Sequence, residues 1–472
     1  MSTRVERRVL INTAVLGVGE AVGQLANFAF VVVLARRYGV EIFGWYSFAM
    51  ALGVVLALFV SLGGVGYVTR ELARDAVGAQ AIFDSLRPLQ MASGLIVWLV
   101  IVAVATLSDV TPGEMWVIVI VGAYQILLKM TSLYLAPAAA RQRPLAVAVV
   151  GGGHRVLVAI LAGVAILLGL DAPVALLAMP IAALVALLVA RAHTDRYATT
   201  AEATVDRLHV IRASLPFLGT SMLAVIYSRG GLLLLTVMGG ETATGLFAAA
   251  DRLLMPIYMV TAVFATALLP TLATLAAEPE RMSELARRCL RLVLLASIPL
   301  CALLAIFSSE IVTLVFGPEL RAAGTTLSVL APLPVLRSVT SLWSTQCLAV
   351  NEEHRLALAK TQATVVFLVL ATTGIGFGGA MGLAIACIAS ESYFAFRLRG
   401  LLAQHSQYEP VFRVALRPVV AAVAAAAVAA LVSSLGLPLR VLLVTGALAL
   451  TLALIGGVRA HDLRFLTQIV RR

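Results

Sequence analysis

The sequence predicts an all-α polytopic membrane protein of about fourteen transmembrane helices: two six-helix lobes and then two further helices. Three observations predict it. First, the 472 residues are 61% hydrophobic and 12% charged, with a mean hydropathy of +1.01. A soluble domain carries about 25% charged residues. Second, apolar runs of about 20 residues, enough to cross a hydrocarbon core of ~30 Å, recur along the whole chain. Third, the basic residues segregate. Of the 35 Lys and Arg, 27 fall in segments that would lie inside, four in outer loops (Arg36, Arg37, Arg321 and Arg440) and four within spans. That asymmetry places both termini in the cytoplasm, as an even number of spans requires.

In chain order, the expected spans are 9–35, 44–68, 88–108, 114–137, 145–170, 173–192, 212–238, 243–270, 290–317, 325–350, 356–376, 378–399, 414–435 and 437–458. Arg4, Arg7 and Arg8 before the first run resemble the start of a signal peptide. The run is too long for one and is interrupted by Glu20, Gln24 and Asn27, so it is kept as a span. After span 2, Leu72, Ala76, Ala79, Phe83 and Leu86 recur at helical spacing. After span 8, Met282, Leu285, Cys289 and Leu292 do the same, with Glu280, Arg281, Glu284, Arg287 and Arg288 between them. Both linkers are expected to lie as helices in the inner interface. The charged, Thr- and Ala-containing linker from Arg191 to Arg212 suits an exposed strap. The Ala/Val run 419–431 is expected to face lipid.

The chain also repeats itself. Glu41 is answered by Glu241, and Gly44-Trp45-Tyr46-Ser47-Phe48-Ala49 by Gly245-Leu246-Phe247-Ala248-Ala249-Ala250, with a one-residue slip between the two matches. Thr131-Ser132-Leu133-Tyr134 is answered by Thr340-Ser341-Leu342-Trp343, and the basic turn Arg141–Leu145 by Glu353–Leu356. Six spans per copy is an even number. The copies would therefore insert the same way round, about an axis along the membrane normal, with a cavity between them. The expected division is 1–200, 201–402 and 403–472.

The stretch Leu34-Ala35-Arg36, Gly39, Phe43-Gly44-Trp45-Tyr46-Ser47 and then Arg70-Glu71-Leu72-Ala73-Arg74 resembles the polysaccharide or O-antigen flippases. Their superfamily also contains multidrug exporters and the peptidoglycan-lipid flippase. The motif resemblance covers roughly residues 1–90. It implies a polyprenyl-diphosphate-linked oligosaccharide as cargo, moved from the inner to the outer leaflet of the inner (plasma) membrane for surface polysaccharide synthesis. It also implies a polysaccharide polymerase or glycosyltransferases as partners.

No catalytic constellation stands out. His154, His193, His209, His354, His405 and His461 lie near span ends or in loops without clustered Cys or carboxylates, and neither H-E-x-x-H nor a P-loop occurs. Gly151-Gly152-Gly153 lies within a span, where small residues permit close helix packing. Cys289, Cys301, Cys347 and Cys387 suit small apolar core positions. No cofactor, metal or nucleic-acid partner is expected, and no enzymatic activity. The net charge of +11 is explained by basic inner loops.

What remains is charge at membrane depth, which is costly and usually faces a cavity or a partner. Lys129, Arg229, Arg252 and Arg337 are the candidate substrate-binding residues, because guanidinium forks match phosphate oxygens. Glu20, Asp251 and Glu391 are the candidate ion-coupling residues. Lys129 and Arg337 fall one residue apart when the Thr-Ser-Leu-aromatic repeats are aligned, so they are near-equivalents. The structural alternatives are ordinary pairs: Asp251 and Arg252 with other helices, Glu391 with Arg397 or Arg399, and Glu20 as a protonated core residue. A drug or cation exporter would want acidic and aromatic groups in its cavity. Permanent cations outnumber carboxylates here, and aromatics are 7%. A peptidoglycan-lipid flippase and a non-transporting scaffold of a polymer-assembly complex stay open as alternatives.

Overall fold

The computed structural model describes residues 2–74, 78–108, 110–140, 144–195, 207–276, 278–404 and 411–454. Every regular element among them is helical. In order they are α1 (Ser2–Ser61), α2 (Gly64–Arg74), α3 (Gly78–Leu107), α4 (Pro112–Ala140), α5 (Pro144–Leu167), α6 (Ala172–Leu176), α7 (Ala178–Asp195) and α8 (Arg207–Thr274). Then come α9 (Pro279–Ile306), α10 (Ser308–Phe316), a short 3-10 turn, α11 (Ala323–Leu330), α12 (Leu333–Ala349), α13 (Glu353–Gln404), α14 (Val411–Leu431) and α15 (Leu437–Leu454).

Among the described residues, ten stretches are long and apolar enough to cross a membrane, and three are about twice the length one crossing needs: Gly17–Ser61, Ser221–Ala262 and Glu353–Gln404. Each contains a glycine at positive φ: Gly39 (φ 78°, ψ −178°), Gly240 (81°, 176°) and Gly379 (52°, −126°). A side chain is disfavoured there, and the helix cannot run through. The chain doubles back at all three. Phe30 and Tyr46 would sit ~24 Å apart along a straight helix, yet their rings meet edge to face at 5.9 Å. Thr236 and Thr244 share a hydrogen bond at 2.9 Å. A Cβ on Gly382 would collide with the Gly374 carbonyl. Resolved into hairpins, the ten stretches make thirteen crossings. The expected span over 325–350 is not one of these stretches: it is divided into α11 and α12 at Ala331-Pro332. The fold class is therefore the expected one.

Several local expectations change. Neither amphipathic linker is a single separate helix: Leu72 of the first lies on α2 and its Phe83 and Leu86 on α3, while Met282 and Cys289 of the second lie on α9, continuous with the span that follows. Residues 75–77, part of the first linker, lie outside the described residues, as do 196–206 of the strap and 141–143 of the basic turn. Nor does the Ala/Val run simply face lipid. Ala421, Ala425 and Ala429, one turn apart, are buried with Phe307, Val444 and Leu448, while Val420 and Val423 stay exposed. The small stripe lets α14 approach its neighbours closely.

By packing, the chain divides into Met1–Gly245 and Leu246–Arg472. Within the first unit, α1 lies against α5 through paired small residues: Gly19 faces Ala148, and Gly23 faces Gly152. Of the three consecutive glycines, Gly152 makes this contact, and Gly151 and Gly153 have open space. The first part of α8 belongs to this unit because backbone meets backbone. A Cβ on Gly63 would strike the Ser214 carbonyl, one on Gly44 the Glu241 carbonyl, and one on Gly245 the Val40 carbonyl. In the second unit, α14 packs on α9 and α15, and the Arg440 guanidinium pairs with Glu310 at 3.1 Å. The four cysteines are free; Cys289, Cys301 and Cys347 are buried and Cys387 is half-buried.

Candidate functional site

The candidate residues fall into two groups, one in each packing unit. In the first, Glu20 sits on the polar side of α1 with Gln24 one turn on. Gln24 Nε2 donates to Glu20 Oε1 at 3.0 Å, and Arg155 Nη1 of α5 donates to the same oxygen at 2.7 Å. The Gly23–Gly152 contact brings the two backbones close enough for this pair, and the Arg155 side chain lies over Gly23. Glu20 is thus an ion-paired carboxylate, a partner that neither of its two expected roles included. His154, beside Arg155, is buried. Its Nδ1 lies 3.0 Å from the Val150 carbonyl, and its Nε2 has no partner among the described residues.

Lys129 occupies the middle of α4. Its backbone carbonyl accepts from Gln90 Nε2 at 3.2 Å and from Ser132 Oγ at 2.6 Å. Its half-buried ammonium has no ion-pair or hydrogen-bond partner among the described residues. Burying a charge without a counter-charge costs several kcal/mol, so an uncompensated lysine in an apolar helix needs a reason. Arg229 is half-buried on α8 of the same unit.

The second unit holds a denser cluster. Arg337 Nε of α12 lies 3.8 Å from Glu391 Oε2 of α13. The Arg337 guanidinium stacks over Tyr258 of α8, 4.6 Å from the ring centre. Thr340 Oγ1, one turn beyond Arg337, donates to Glu391 Oε1 at 2.5 Å. Lys360 lies with its ammonium 4.5 Å from the Phe394 ring and within reach of the Glu391 charge. Asp251 makes no ion pair among the described residues but lies close enough to act electrostatically on Arg337 and Tyr258. Beside these, Thr261 and Ser338 share a hydrogen bond at 2.9 Å. Arg337 joins Glu391 because α13 folds back at Gly379 and presents Glu391 to α12. Arg252, next to Asp251 in sequence, is half-buried and takes no part in these contacts.

Two charged residues of these groups escape sequence reasoning. Arg155 and Lys360 sit two to three turns inside α5 and α13, near enough to a basic end to be taken for inner-loop charge. Tyr258 escapes because a lone tyrosine in an apolar helix carries no signal.

Comparison with known proteins adds the family. The model of a family described as "Polysaccharide biosynthesis protein" matches residues 33–323. The chain belongs to that family. The match opens one residue before the Leu34–Arg74 stretch that carries the resemblance. No curated protein matches the sequence. Among solved structures, this chain is similar to one titled lipid II flippase MurJ, inward closed conformation, with TM-score 0.76 and 11% identity over 93% of this chain and 98% of that one. It is also similar to an inward-facing multidrug resistance MATE family transporter of the MOP superfamily (TM-score 0.62, 16% identity, 82% and 96% covered). A third is an outward-facing multidrug resistance MATE family transporter of the same superfamily (TM-score 0.55, 17% identity, 85% and 96% covered). At these identities the likeness establishes the fold.

Proposed function

We propose that this membrane protein is a flippase, not an enzyme, which carries a polyprenyl-diphosphate-linked oligosaccharide from the cytoplasmic to the outer leaflet of the inner membrane. It would work by alternating access between two six-helix lobes, residues 1–200 and 201–402, with both termini cytoplasmic. Glycosyltransferases would supply the cargo, and a polysaccharide polymerase would consume it. The observation that carries the reading is the uncompensated ammonium of Lys129. A lysine without a counter-charge in an apolar helix suits a transient anionic ligand, and a diphosphate supplies one. Arg229, Arg252 and Arg337 are the further cations proposed to meet it.

Glu20 and Asp251 remain the proposed ion-coupling residues. Asp251 has no ion pair among the described residues, and the ion-pair partner of Glu20, Arg155, could be exchanged for an ion. Glu391 serves two cations and a hydroxyl donor, so its surroundings favour an anchoring role over coupling. A peptidoglycan-lipid flippase shares the diphosphate chemistry and differs in the sugar. A drug exporter is disfavoured, because Lys129 would repel a cationic drug.

The test is Lys129→Met beside Lys129→Arg, in cells that display a surface glycan dependent on this protein, with expression measured in parallel. The Met variant is expected to lose display at least about tenfold and the Arg variant to retain part of it. Full display by the Met variant at normal expression overturns the proposal. In reconstituted vesicles, equal transport of a lipid-linked oligosaccharide and of peptidoglycan lipid would count against the polysaccharide assignment.

A further inference from the structure

The surroundings of Arg337 are asymmetric. Its side chain is 33% exposed, whereas that of its partner Glu391 is 3% exposed. The carboxylate is pinned by Thr340 on one oxygen and faces Arg337 Nε with the other. The guanidinium carbon lies over the Tyr258 ring, 4.6 Å from its centre. Nε is therefore turned toward Glu391, and the guanidinium lies against Tyr258. The two terminal nitrogens, Nη1 and Nη2, have no hydrogen-bond partner among the described residues. A guanidinium with a carboxylate at Nε and an aromatic ring beside it leaves its outer fork available, and such a fork can grip two phosphate oxygens at once. The loose 3.8 Å ion pair orients the group without using up its donors. Lys360 draws on the same carboxylate from the other half of the α13 hairpin.

We infer that Glu391, Thr340 and Tyr258 are positioning residues that aim the Arg337 fork at the diphosphate of the lipid-linked cargo. The inference rests on the flippase reading and adds to it which groups give Arg337 its direction. It also separates Arg337 from Lys129. Lys129 contributes an undirected point charge, and Arg337 a directed pair of donors able to hold one oxygen of each phosphate of a diphosphate. Glu391 acts through Arg337 and does not touch the cargo.

The test is a double-mutant cycle on the full-length protein in nanodiscs, titrated with farnesyl diphosphate and with farnesyl monophosphate, with melting temperatures recorded for each variant. The native protein is expected to prefer the diphosphate about tenfold. Arg337→Ala and Glu391→Gln should each abolish that preference, and the double variant should be no weaker than Arg337→Ala alone. Tyr258→Phe, which keeps the ring, should stay within about threefold of native, whereas Tyr258→Leu should lose about tenfold. Should Glu391→Gln fail to fold, Thr340→Val, which frees the carboxylate without removing it, is expected to reduce the diphosphate preference in the same direction. Independent, multiplying losses in the double variant overturn the positioning role and leave the flippase reading standing, as does a Thr340→Val variant with native preference. A native protein that binds neither probe overturns both.

Discussion

Single residues decide how the charges are compensated. Glu20 and Arg155 are 135 positions apart and meet at 2.7 Å, yet Glu20 is 45% exposed and Arg155 25%. Breaking a fully buried pair costs about 3–5 kcal/mol. Partial exposure lowers that, and we expect Arg155→Ala to cost about 1–2 kcal/mol. The charge-swapped Glu20→Arg/Arg155→Glu protein should recover most of the loss in thermal unfolding; a swap as unstable as the single variant would deny the pair any role. At this scale the sequence was half legible. Lys129, Arg229 and Arg337 announce themselves, because a charge in the middle of an apolar run is costly and stands out from its neighbours. Arg155 and Lys360 do not, because the bias of basic residues toward inner loops accounts for them equally well. The pairings themselves were invisible: 51 positions separate Thr340 from Glu391, and nothing local records that they touch.

Elements were more legible than contacts. Each of the three glycine turns falls in or within two residues of a predicted inter-span gap, because polar or glycine-bearing residues between two apolar runs are what a hairpin in lipid requires. The repeat has a cleaner register than its letters suggest. Gly39 and Gly240 adopt nearly the same backbone conformation, and Gly44 and Gly245 make the reciprocal contact, both pairs 201 residues apart. Glu41 therefore corresponds to Thr242, and the apparent slip comes from a coincidental glutamate. Gly44→Ala should lower the melting temperature by several degrees, because its Cβ would meet a backbone carbonyl that cannot rotate aside. Gly153→Ala, with open space and a helical backbone, should leave it unchanged or raise it. Equal effects at the two positions would mean that close approach at Gly44 contributes nothing.

At the scale of the whole molecule, hydropathy and the distribution of basic residues were sufficient for the fold class, because a lipid solvent leaves few alternatives to helices. The packing boundary was not readable. It falls at Gly245 because glycines of α1 and of the turn that follows it bring the first part of α8 into their own unit, and a repeat in the letters does not say which copy a helix will pack against. Energy supply also belongs to this scale. A diphosphate lipid carries about two negative charges, and each gains roughly 2.3 kcal/mol per 100 mV on moving outward across an inside-negative membrane. That is roughly 4–5 kcal/mol, a bias of more than a thousandfold. We predict that a potassium–valinomycin potential alone drives flipping in vesicles. Transport that ignores the sign of that potential, follows an imposed proton or sodium gradient and stops in Glu20→Gln would assign coupling to Glu20 instead.

The reciprocal glycine contact also has a genetic consequence. The atoms nearest to Gly44 and Gly245 are main-chain carbonyl oxygens, which no codon change can trim. A selection for revertants of Gly44→Ala should therefore return glycine itself, or distant changes that loosen the hairpin ends, and no compensating side chain across the contact. Two positions 201 residues apart would then each tolerate one amino acid, without the paired substitutions by which touching residues normally betray each other in a pedigree.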